Sequence, residues 1–446
     1  MKKMSIYALI LLLLCSLVAC GATENSAANE ESSMTPASIE TSSVSEEVSS
    51  AASVVETEAV SEAEAPEEEF EQIVILDNEV CSFILTDVDP DGEWGYTWSV
   101  YLENKTDKNL MFSVDNVSVN GLYSDPFWGT TVSAGMKSNE EIVWYDNLAA
   151  QGIDDITLVK LDLTVYNDDD WMEEPLVEEN FTVYPMGEDA VGEMYEREPA
   201  ETDIVLVDDE NCAVILTGID PQGEWGYTWS VYLENKTDKN LMFSINYVSI
   251  NDLLCEPFWG TTVSAGAKAN TEIIWYYDEL DAAGITDVTV VEFDLTVSDE
   301  DDWTAEPLFA DTLTVYPNGE EAQMSYQREP AETDTVLVDN DLCTVIVTGF
   351  DPEADWGYAM KLYLVNKTDK NLGFSISEAA VNGYMCDPYW GISVPAGKAA
   401  FSDVSWSSED FDLNGITEVE ELTLPLYAYD EDSYEELLNE TFTVNP

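Results

Sequence analysis

The clearest pattern along the chain is a short-range alternation of apolar and polar residues. Apolar and polar side chains alternate through residues 98–103, and this period of two is typical of a strand with one buried face. After a polar connection at residues 104–109 the alternation resumes at residues 110–114, which predicts a hairpin. Asp-Pro-Asp-Gly at residues 89–92 is the chemistry of a turn.

Short runs of the same kind fill the rest of the first third of the chain. Further strands are predicted at residues 73–76, 81–86, 116–119, 130–132, 141–145, 156–166 and 180–184. Only residues 148–152 favour a short helical turn. About eight short strands with polar turns between them predict an all-β antiparallel sandwich or barrel, and the immunoglobulin-like sandwich is the commonest solution at this size.

The whole pattern occurs three times. The stretch at residues 90–112, PDGEWGYTWSVYLENKTDKNLMF, returns at residues 221–243 and again, less strictly, at residues 352–374. The period of 131 residues is too long for a solenoid unit and has the size of a domain. We therefore predict three tandem β-sandwich repeats at residues 71–185, 204–317 and 335–446, separated by spacers at residues 186–203 and 318–334.

The two spacers are themselves nearly identical, at residues 195–203 and 326–334. Either the whole unit was duplicated recently, or the spacers are ordered and packed. Because the first two repeats are also nearly identical, we favour recent duplication.

The N-terminus has the pattern of an exported protein. Lys2 and Lys3 precede an apolar run at residues 6–18, which is too short to cross a bilayer as a helix. Leu-Val-Ala-Cys at residues 17–20 resembles the lipobox of bacterial lipoproteins. The resemblance implies a signal segment at residues 1–20, lipidation of Cys20, and a protein anchored to the extracellular face of the cell membrane by lipid alone.

Residues 21–70 are rich in Ser, Ala and Glu. Residues 22–70 contain thirteen Glu and neither Lys nor Arg. Low hydrophobicity with charge of one sign is typical of disorder, so we predict a disordered acidic tether.

One segment of each repeat carries a second resemblance. NKTDKNLMFSVDNVSVNG, followed by PFWGTTVSAGMKSNEEIVW, resembles the immunoglobulin-like modules of uncharacterised lipoproteins of Gram-positive bacteria. It extends in each repeat from the Asn-Lys-Thr turn to the strand that ends at Trp144 or its equivalent. The resemblance implies a β-sandwich and a surface location, and it brings no catalytic residues.

Composition narrows the classes of function. The formal net charge is −77, from 15 basic and 92 acidic residues, which disfavours nucleic acid and anionic membrane surfaces as partners. No histidine is present, which excludes Ser-His-Asp and Cys-His nucleophile systems and the commonest metal ligand sets. Paired carboxylates are inevitable by chance at this acid content, and nothing in a tandem of small sandwiches suggests a glycosidase cleft. We expect no enzymatic activity and no cofactor.

Cysteine spacing leaves two alternatives. Cys212 and Cys255 are 43 residues apart, as are Cys343 and Cys386, while the first repeat has Cys81 but Ser124 at the partner position. Two disulfides suit an exported protein. The alternative is that the first cysteine of each repeat is a buried small hydrophobic residue, because the first repeat has no second cysteine to pair with it. Cys81 itself is expected to be a buried free thiol.

Acidic clusters are the only candidates for a metal site. Asp87, Asp89 and Asp91 begin like a calcium loop, but a Pro interrupts it, Trp98 stands at its twelfth position, and the other repeats lose the spacing. The recurring runs at residues 168–170 and 299–302 are expected to be solvated hairpin tips. No metal site is predicted.

Aromatic residues recur in the turns of all three repeats. A ring in a turn is a better candidate for ligand contact than a ring in a strand, which usually belongs to the core. The candidates are Trp94, Trp128, Trp225, Trp259, Trp356 and Trp390. The favoured function is therefore a lipid-anchored surface protein whose repeats have a non-catalytic binding, adhesive or spacer role, with a glycan or protein as ligand. The alternative is a carbohydrate-binding accessory lipoprotein that stacks sugars on these rings. Exposure of Trp94 and Trp128 distinguishes the two.

Overall fold

A computed structural model describes residues 70–145, 148–170 and 172–446. Glu68–Pro446 forms one compact unit. The predicted signal segment, the lipidation site at Cys20 and nearly all of the tether lie outside the described residues. No helix among the described residues is long and apolar enough to cross a membrane.

The first repeat consists of two sheets that face each other. Its strands are β1 (Ile73–Asp77), β2 (Cys81–Asp89), β3 (Tyr96–Asn104), β4 (Leu110–Val119), β5 (Leu122–Tyr123), β6 (Trp128–Val132), β7 (Lys137–Trp144), β8 (Val159–Asn167) and β9 (Val177–Val183). One sheet has the order β1-β2-β3-β7, and in the other β5, β4, β8 and β9 are neighbours, with β6 also paired to β4. Two short 3-10 turns lie at Ala149–Gln151 and Glu188–Ala190.

The second and third repeats follow the same strand order. The second has β10 (Ile204–Asp208), β11 (Cys212–Asp220), β12 (Gly226–Asn235), β13 (Leu241–Ile250), β14 (Leu253–Leu254), β15 (Gly260–Val263), β16 (Lys268–Tyr276), β17 (Val291–Asp299) and β18 (Phe309–Val315), with helix α1 (Tyr277–Ala283) and a 3-10 turn at Glu320–Ala322. The third has β19 (Thr335–Asp339), β20 (Cys343–Ala354), β21 (Gly357–Asn366), β22 (Leu372–Ile376), β23 (Ala380–Val381), β24 (Tyr384–Met385), β25 (Gly391–Val394), β26 (Ala399–Ser407), β27 (Leu422–Asp430) and β28 (Glu436–Val444), with helix α2 (Ser408–Asn414). The all-β prediction is confirmed, and the paired sheets are consistent with β-sandwiches.

The predicted alternation decides which side chains fill the core. Trp98, Val100 and Leu102 on β3 are fully buried, whereas the residues between them are half-exposed. Trp98 packs edge-to-face on Trp144 of β7, with ring centroids 5.1 Å apart. Each repeat has its own cluster of this kind, to which both of its sheets contribute.

The Asn-Lys-Thr motif is explained by one buried asparagine in each repeat. The Asn235 side chain is 1% exposed and donates from Nδ2 to the carbonyls of Lys239 and Val263, at 2.7 and 2.8 Å. Its Oδ1 accepts from the backbone N–H and the hydroxyl of Thr237. Asn104 and Asn366 make the equivalent bonds. A buried amide is stable only when its donor and acceptor groups are hydrogen-bonded in this way. The motif therefore has a structural role and is not a ligand site.

The lysines of the same motif hold neighbouring turns in place. Lys236 Nζ lies 2.5 Å from Asp208 at the end of β10 and also donates to the Asp209 carbonyl. Lys239 Nζ lies 2.5 Å from Asp299 at the end of β17. The lysines of the motif in the first and third repeats also form ion pairs with acids of neighbouring turns or strand ends. These lysines, which are few in this chain, therefore stabilise the fold.

The sheets continue from one repeat into the next. Leu122 of β5 forms a parallel bridge with Lys268 of β16, and the Lys268 N–H donates to the Gly121 carbonyl at 2.8 Å. Leu253 of β14 pairs in the same way with Ala399 of β26. Two nine-stranded sheets result, each shared by two repeats.

Both spacers make ordered contacts, as the second of the two explanations from sequence expects. Arg328 forms a two-point ion pair with Asp334, at 2.6 and 2.7 Å, and lies over the ring of Tyr363 in the next repeat. Arg197 makes the same contacts with Asp203 and Tyr232 in the first spacer. The near-identity of the two spacers therefore has a structural reason: each pins the same junction.

Of the two alternatives for the cysteines, the disulfides are not formed, because the two cysteines of each pair lie at opposite ends of a repeat. All five cysteines among the described residues are free thiols, and Cys81 is buried as expected. Cys212 pairs with Asn235 at one end of β12, while the Cys255 carbonyl accepts from Trp275, whose partner Tyr227 is at the other end. Eight residues of strand separate these ends by about 26 Å, far beyond the reach of a disulfide. Cys343 and Cys386 are placed in the same way relative to β21.

Candidate functional site

Three tryptophans at the same turn are the most exposed of the predicted site residues. Trp94, Trp225 and Trp356 are 69%, 64% and 63% exposed. Each lies at the start of the central strand of its repeat, directly before a glycine. An indole exposed to this extent on all three repeats is unusual for a residue that serves only the core.

The glycine after each tryptophan sets its position. Gly226 pairs with Tyr276, and a Cβ at Gly226 would overlap the carbonyl oxygen of Trp275. Gly95 and Gly357 are equally tight against Trp144 and Trp406. Only glycine allows the two strands to approach this closely, so the following strand holds the turn that carries the tryptophan.

A second exposed aromatic residue accompanies the tryptophan in two repeats. Tyr276, across from Gly226, is 50% exposed, and Tyr145, beside Gly95, is 73% exposed. The third repeat has Ser407 at this position. Aromatic faces of this kind stack on apolar faces of planar or ring-shaped ligands, and hydroxyl and indole N–H groups add hydrogen bonds at their edges.

The other three predicted tryptophans have structural partners. Trp128 stacks on Phe83, with ring centroids 6.1 Å apart. Trp259 donates from Nε1 to Thr271 Oγ1 at 3.3 Å, and Trp390 donates to Ser402 Oγ at 2.9 Å. All three are half-buried. Of the two tryptophans whose exposure was to distinguish the two functions, Trp94 is exposed and Trp128 is not.

In the loops that carry Trp128, Trp259 and Trp390, the exposed ring belongs to the residue before each tryptophan. Phe127, Phe258 and Tyr389 are 89%, 78% and 93% exposed. These three residues were not among the predicted site residues, because side-chain direction in an irregular loop follows no period. Their recurrence as aromatic residues was the available signal.

Two more exposed aromatics follow the acidic runs at the ends of β17 and β27. Trp303 is 75% exposed and Tyr434 is 80% exposed. Trp303 lies after Asp299, which pairs with Leu241, at the end of the repeat opposite Trp225. It is therefore an exposed tryptophan outside the candidate site.

Carboxylates near the aromatic loops are engaged by the backbone. Asn116, Tyr247 and Glu378 lie at an irregular point near the end of β4, β13 and β22, respectively, with φ of 52°, 54° and 59°. In the second repeat the Tyr247 N–H donates to Glu256 at 2.7 Å, and in the third the Ala379 N–H donates to Asp387 at 2.6 Å. In the first repeat burial raises the pKa of Asp125 to about 6, against the backbone hydrogen bonds that stabilise its charged form. These acids stabilise a strained backbone.

The acidic runs serve as turn caps. Asp299 Oδ1 accepts from the Asp301 N–H at 3.1 Å, and the pKa of Asp299 is lowered by its hydrogen bond to Lys239. Asp302 accepts from the backbone N–H and hydroxyl of Thr304. Within the described ranges, no group of three or more Asp, Glu, Cys or His side chains could hold a metal ion.

One cleft of about 520 Å³ opens in the first repeat, and Phe70, Tyr96, Tyr145, Leu148, Ile153 and Met186 are among its lining residues. In the other repeats a residue of a helix packs near the positions equivalent to this lining. In the second repeat Tyr277 of α1 donates from its hydroxyl to the Gly223 carbonyl at 3.1 Å, and in the third Phe411 of α2 packs on Tyr358. The exposed tryptophan, by contrast, is common to all three repeats.

Comparison with known proteins adds no assignment: neither a protein-family model nor a curated protein sequence matches this chain.

Proposed function

We propose that the protein is a lipid-anchored, non-catalytic binding protein of the cell surface, whose three repeats present the same aromatic contact. The observation that carries the binding role is the exposure of Trp94, Trp225 and Trp356 at one turn of the fold. The shared sheets and pinned spacers support it, because they fix the three contacts relative to one another. Fixed spacing favours simultaneous binding to a repetitive ligand.

The anchor is tested at Cys20. We expect Cys20→Ser to abolish lipid labelling and to leave the protein either uncleaved or in the soluble fraction, because acyl chains supply the membrane affinity. Membrane fractionation with metabolic palmitate labelling measures this, and Ser16→Ala is the matched control. Unchanged labelling of Cys20→Ser would remove the anchor from the proposal.

The favoured ligand class within this role is a polysaccharide, because exposed indole faces suit the apolar faces of pyranose rings. We expect the triple variant Trp94→Ala, Trp225→Ala, Trp356→Ala to lose retardation in affinity electrophoresis on the polysaccharide that retards the wild type. Each single variant is expected to reduce binding by about tenfold or less, since avidity is shared among three contacts. A panel of cell-wall and plant polysaccharides supplies the probes.

Trp303→Ala is the matched control, because Trp303 is equally exposed but lies at the opposite end of its repeat. It should leave retardation unchanged. If the wild type is retarded and the triple variant is retarded equally, the tryptophans are not the contact. If no polysaccharide retards the wild type, the glycan class is wrong and a protein ligand remains for the same surface.

A further inference from the structure

Each internal junction is formed by the same two surfaces. The first is the turn between β4 and β5 in the first repeat, residues 120–122, and between β13 and β14 in the second, residues 251–253; we call it the junction tip. The second is the start of the edge strand of the following repeat, residues 267–268 and 398–399; we call it the receiving edge. At the first junction the Gly121 carbonyl of the tip accepts from the Lys268 N–H at 2.8 Å. At the second junction the Asp252 carbonyl accepts from the Ala399 N–H at 2.9 Å.

The third repeat carries a junction tip of the same conformation. Asn382 and Gly383 have φ of 51° and 81°. The corresponding values are 48° and 84° in the first repeat and 52° and 69° in the second. Its backbone therefore already has the conformation with which the internal tips accept a strand edge, which reduces the ordering cost of binding.

The side chains of this third tip are exposed, unlike those of the other two. Leu122 and Leu253 are fully buried, and Tyr123 and Leu254 pack against the core of the next repeat. At the equivalent positions Tyr384 is 53% exposed and Met385 is 66% exposed. Within the part of the chain that the structure describes, β24 pairs only with β23.

The first repeat carries a receiving edge without a tip. β7 is an edge strand of its sheet, and across the described ranges no strand pairs with its outer side. Met136 is 59% exposed there, whereas the equivalent Ala267 and Lys398 are 2% and 8% exposed. An open strand edge beside an exposed apolar side chain is a template for pairing with another chain.

Charge at the two surfaces is complementary. At the existing junctions a lysine of the receiving side pairs with acids that precede it in the chain: Lys268 contacts Glu196 of the spacer, and Lys398 contacts Asp252 and Glu292 of the second repeat. The open receiving edge carries Lys137. Beside the open tip, the backbone N–H groups of Glu420 and Glu421 donate to Asn382, which places two acidic residues next to it.

We propose that the junction tip of the third repeat docks on the receiving edge of the first repeat in a second copy of this chain. The register of the internal junctions then pairs Tyr384 with Lys137, and the Lys137 N–H donates to the Gly383 carbonyl. Such a contact joins different surfaces of two identical chains, so it propagates head to tail instead of stopping at a dimer. Because no covalent spacer holds the two surfaces together, the contact is weak, with a Kd on the order of 10⁻⁴ M, and strengthens where copies are concentrated.

Sedimentation equilibrium of the full chain from about 10 μM to 1 mM, in 0.3 M NaCl to screen its acidic charge, tests this association. The weight-average mass of the wild type should rise with concentration beyond that of a dimer. Lys137→Pro removes the outward N–H at an edge position that tolerates proline, and Met385→Lys places a cation against the receiving edge. Each alone should remain monomeric, while Lys137→Ala and the exposed-site control Met172→Lys should behave nearly as the wild type. The apolar run at residues 6–18 is common to all variants, so its contribution cancels.

Mixing the two blocked variants tests the direction of the contact. Lys137→Pro keeps an intact tip and Met385→Lys keeps an intact receiving edge, so an equimolar mixture should form a 1:1 dimer and nothing larger. A wild type that stays monomeric throughout, association that neither variant reduces, or a mixture that stays monomeric overturns the proposal. So does concentration-independent protection, in hydrogen exchange, of the outward β7 amides such as that of Lys137, which would mean that residues 1–69 cover the edge within one chain.

Discussion

Gly226→Ala is expected to destabilise the protein by about 3 kcal/mol, because the new methyl group has no room. A Cβ at this position would overlap the main-chain carbonyl of Trp275, which is held in the sheet and cannot rotate away as a side chain can. The strand pair β12–β16 must separate at this end, which also displaces the turn carrying Trp225. Urea unfolding followed by circular dichroism measures the loss as a lower midpoint.

Gly218→Ala is the matched control in the same repeat. Its Cβ would meet the Ser230 side chain at 3.6 Å, an ordinary contact, so the urea midpoint should be almost unchanged. If Gly226→Ala and Gly218→Ala unfold at the same midpoint, the close approach of the two strands is not what requires glycine. The role of Gly226 in positioning Trp225 would then be lost as well.

The second large effect is expected from pH: the protein should be most stable near pH 5 and less stable at neutral pH. Burial is the largest cause that raises the pKa of Asp125, to about 6, and of Glu300. Because these folded-state values lie above the unfolded values near 4, folding favours proton uptake, and stability rises as pH falls from neutral through the raised pKa values. Protonation also reduces the repulsion within a chain of net charge −77.

Ion-paired aspartates limit this gain on the acid side. Lys239 and Lys370 hold the pKa values of Asp299 and Asp430 below the usual range, and Arg328 does the same for Asp334. Their contribution is complete above the unfolded pKa near 4 and is lost as pH falls through the lowered values. The maximum of stability therefore lies between the two groups of carboxyls.

Thermal melts between pH 3 and pH 8 measure this profile. We expect the midpoint at pH 5 to exceed that at pH 7.5 by about 5 °C, and to fall again below pH 4. Asp125→Asn should flatten the rise between pH 7.5 and pH 5, whereas Asp91→Asn, in an exposed turn, should not. A midpoint that decreases steadily from pH 7.5 to pH 5 would contradict the assignment of Asp125 and Glu300 as carboxyls that are costly to ionise.

Local pattern was sufficient for the strands and their buried faces. The alternation around Trp98, Val100 and Leu102 predicts β3 and its core side chains because successive residues of a strand point to opposite faces. The 131-residue period predicts equivalent strand orders in the three repeats. Helices α1 and α2 were not predicted, because the second and third repeats were interpreted through the first, where only a 3-10 turn forms.

Pattern was insufficient wherever side chains distant in sequence meet. Equal spacing of Cys212 and Cys255 suggested a disulfide, but spacing along the chain says nothing of which end of a sheet each residue occupies. In the aromatic loops, recurrence pointed to Trp128 as the exposed ring, but Trp128 packs on Phe83 and Phe127 is the exposed ring. No period governs such loops, so only the packed structure distinguishes the two rings.

The sequence by itself determined the all-β class, the threefold repeat, the alternating core and the exclusion of histidine chemistry, because each depends on composition or on neighbours along a strand. The tertiary structure alone decided that the spacers are pinned by Arg197 and Arg328, that sheets pass from one repeat into the next through Leu122 and Leu253, and that Trp94, Trp225 and Trp356 stay exposed. These outcomes depend on contacts between residues up to about 150 positions apart, such as Gly121 with Lys268 and Asp252 with Ala399. Long-range register of this kind is set by the packing of whole sheets, which no local pattern encodes.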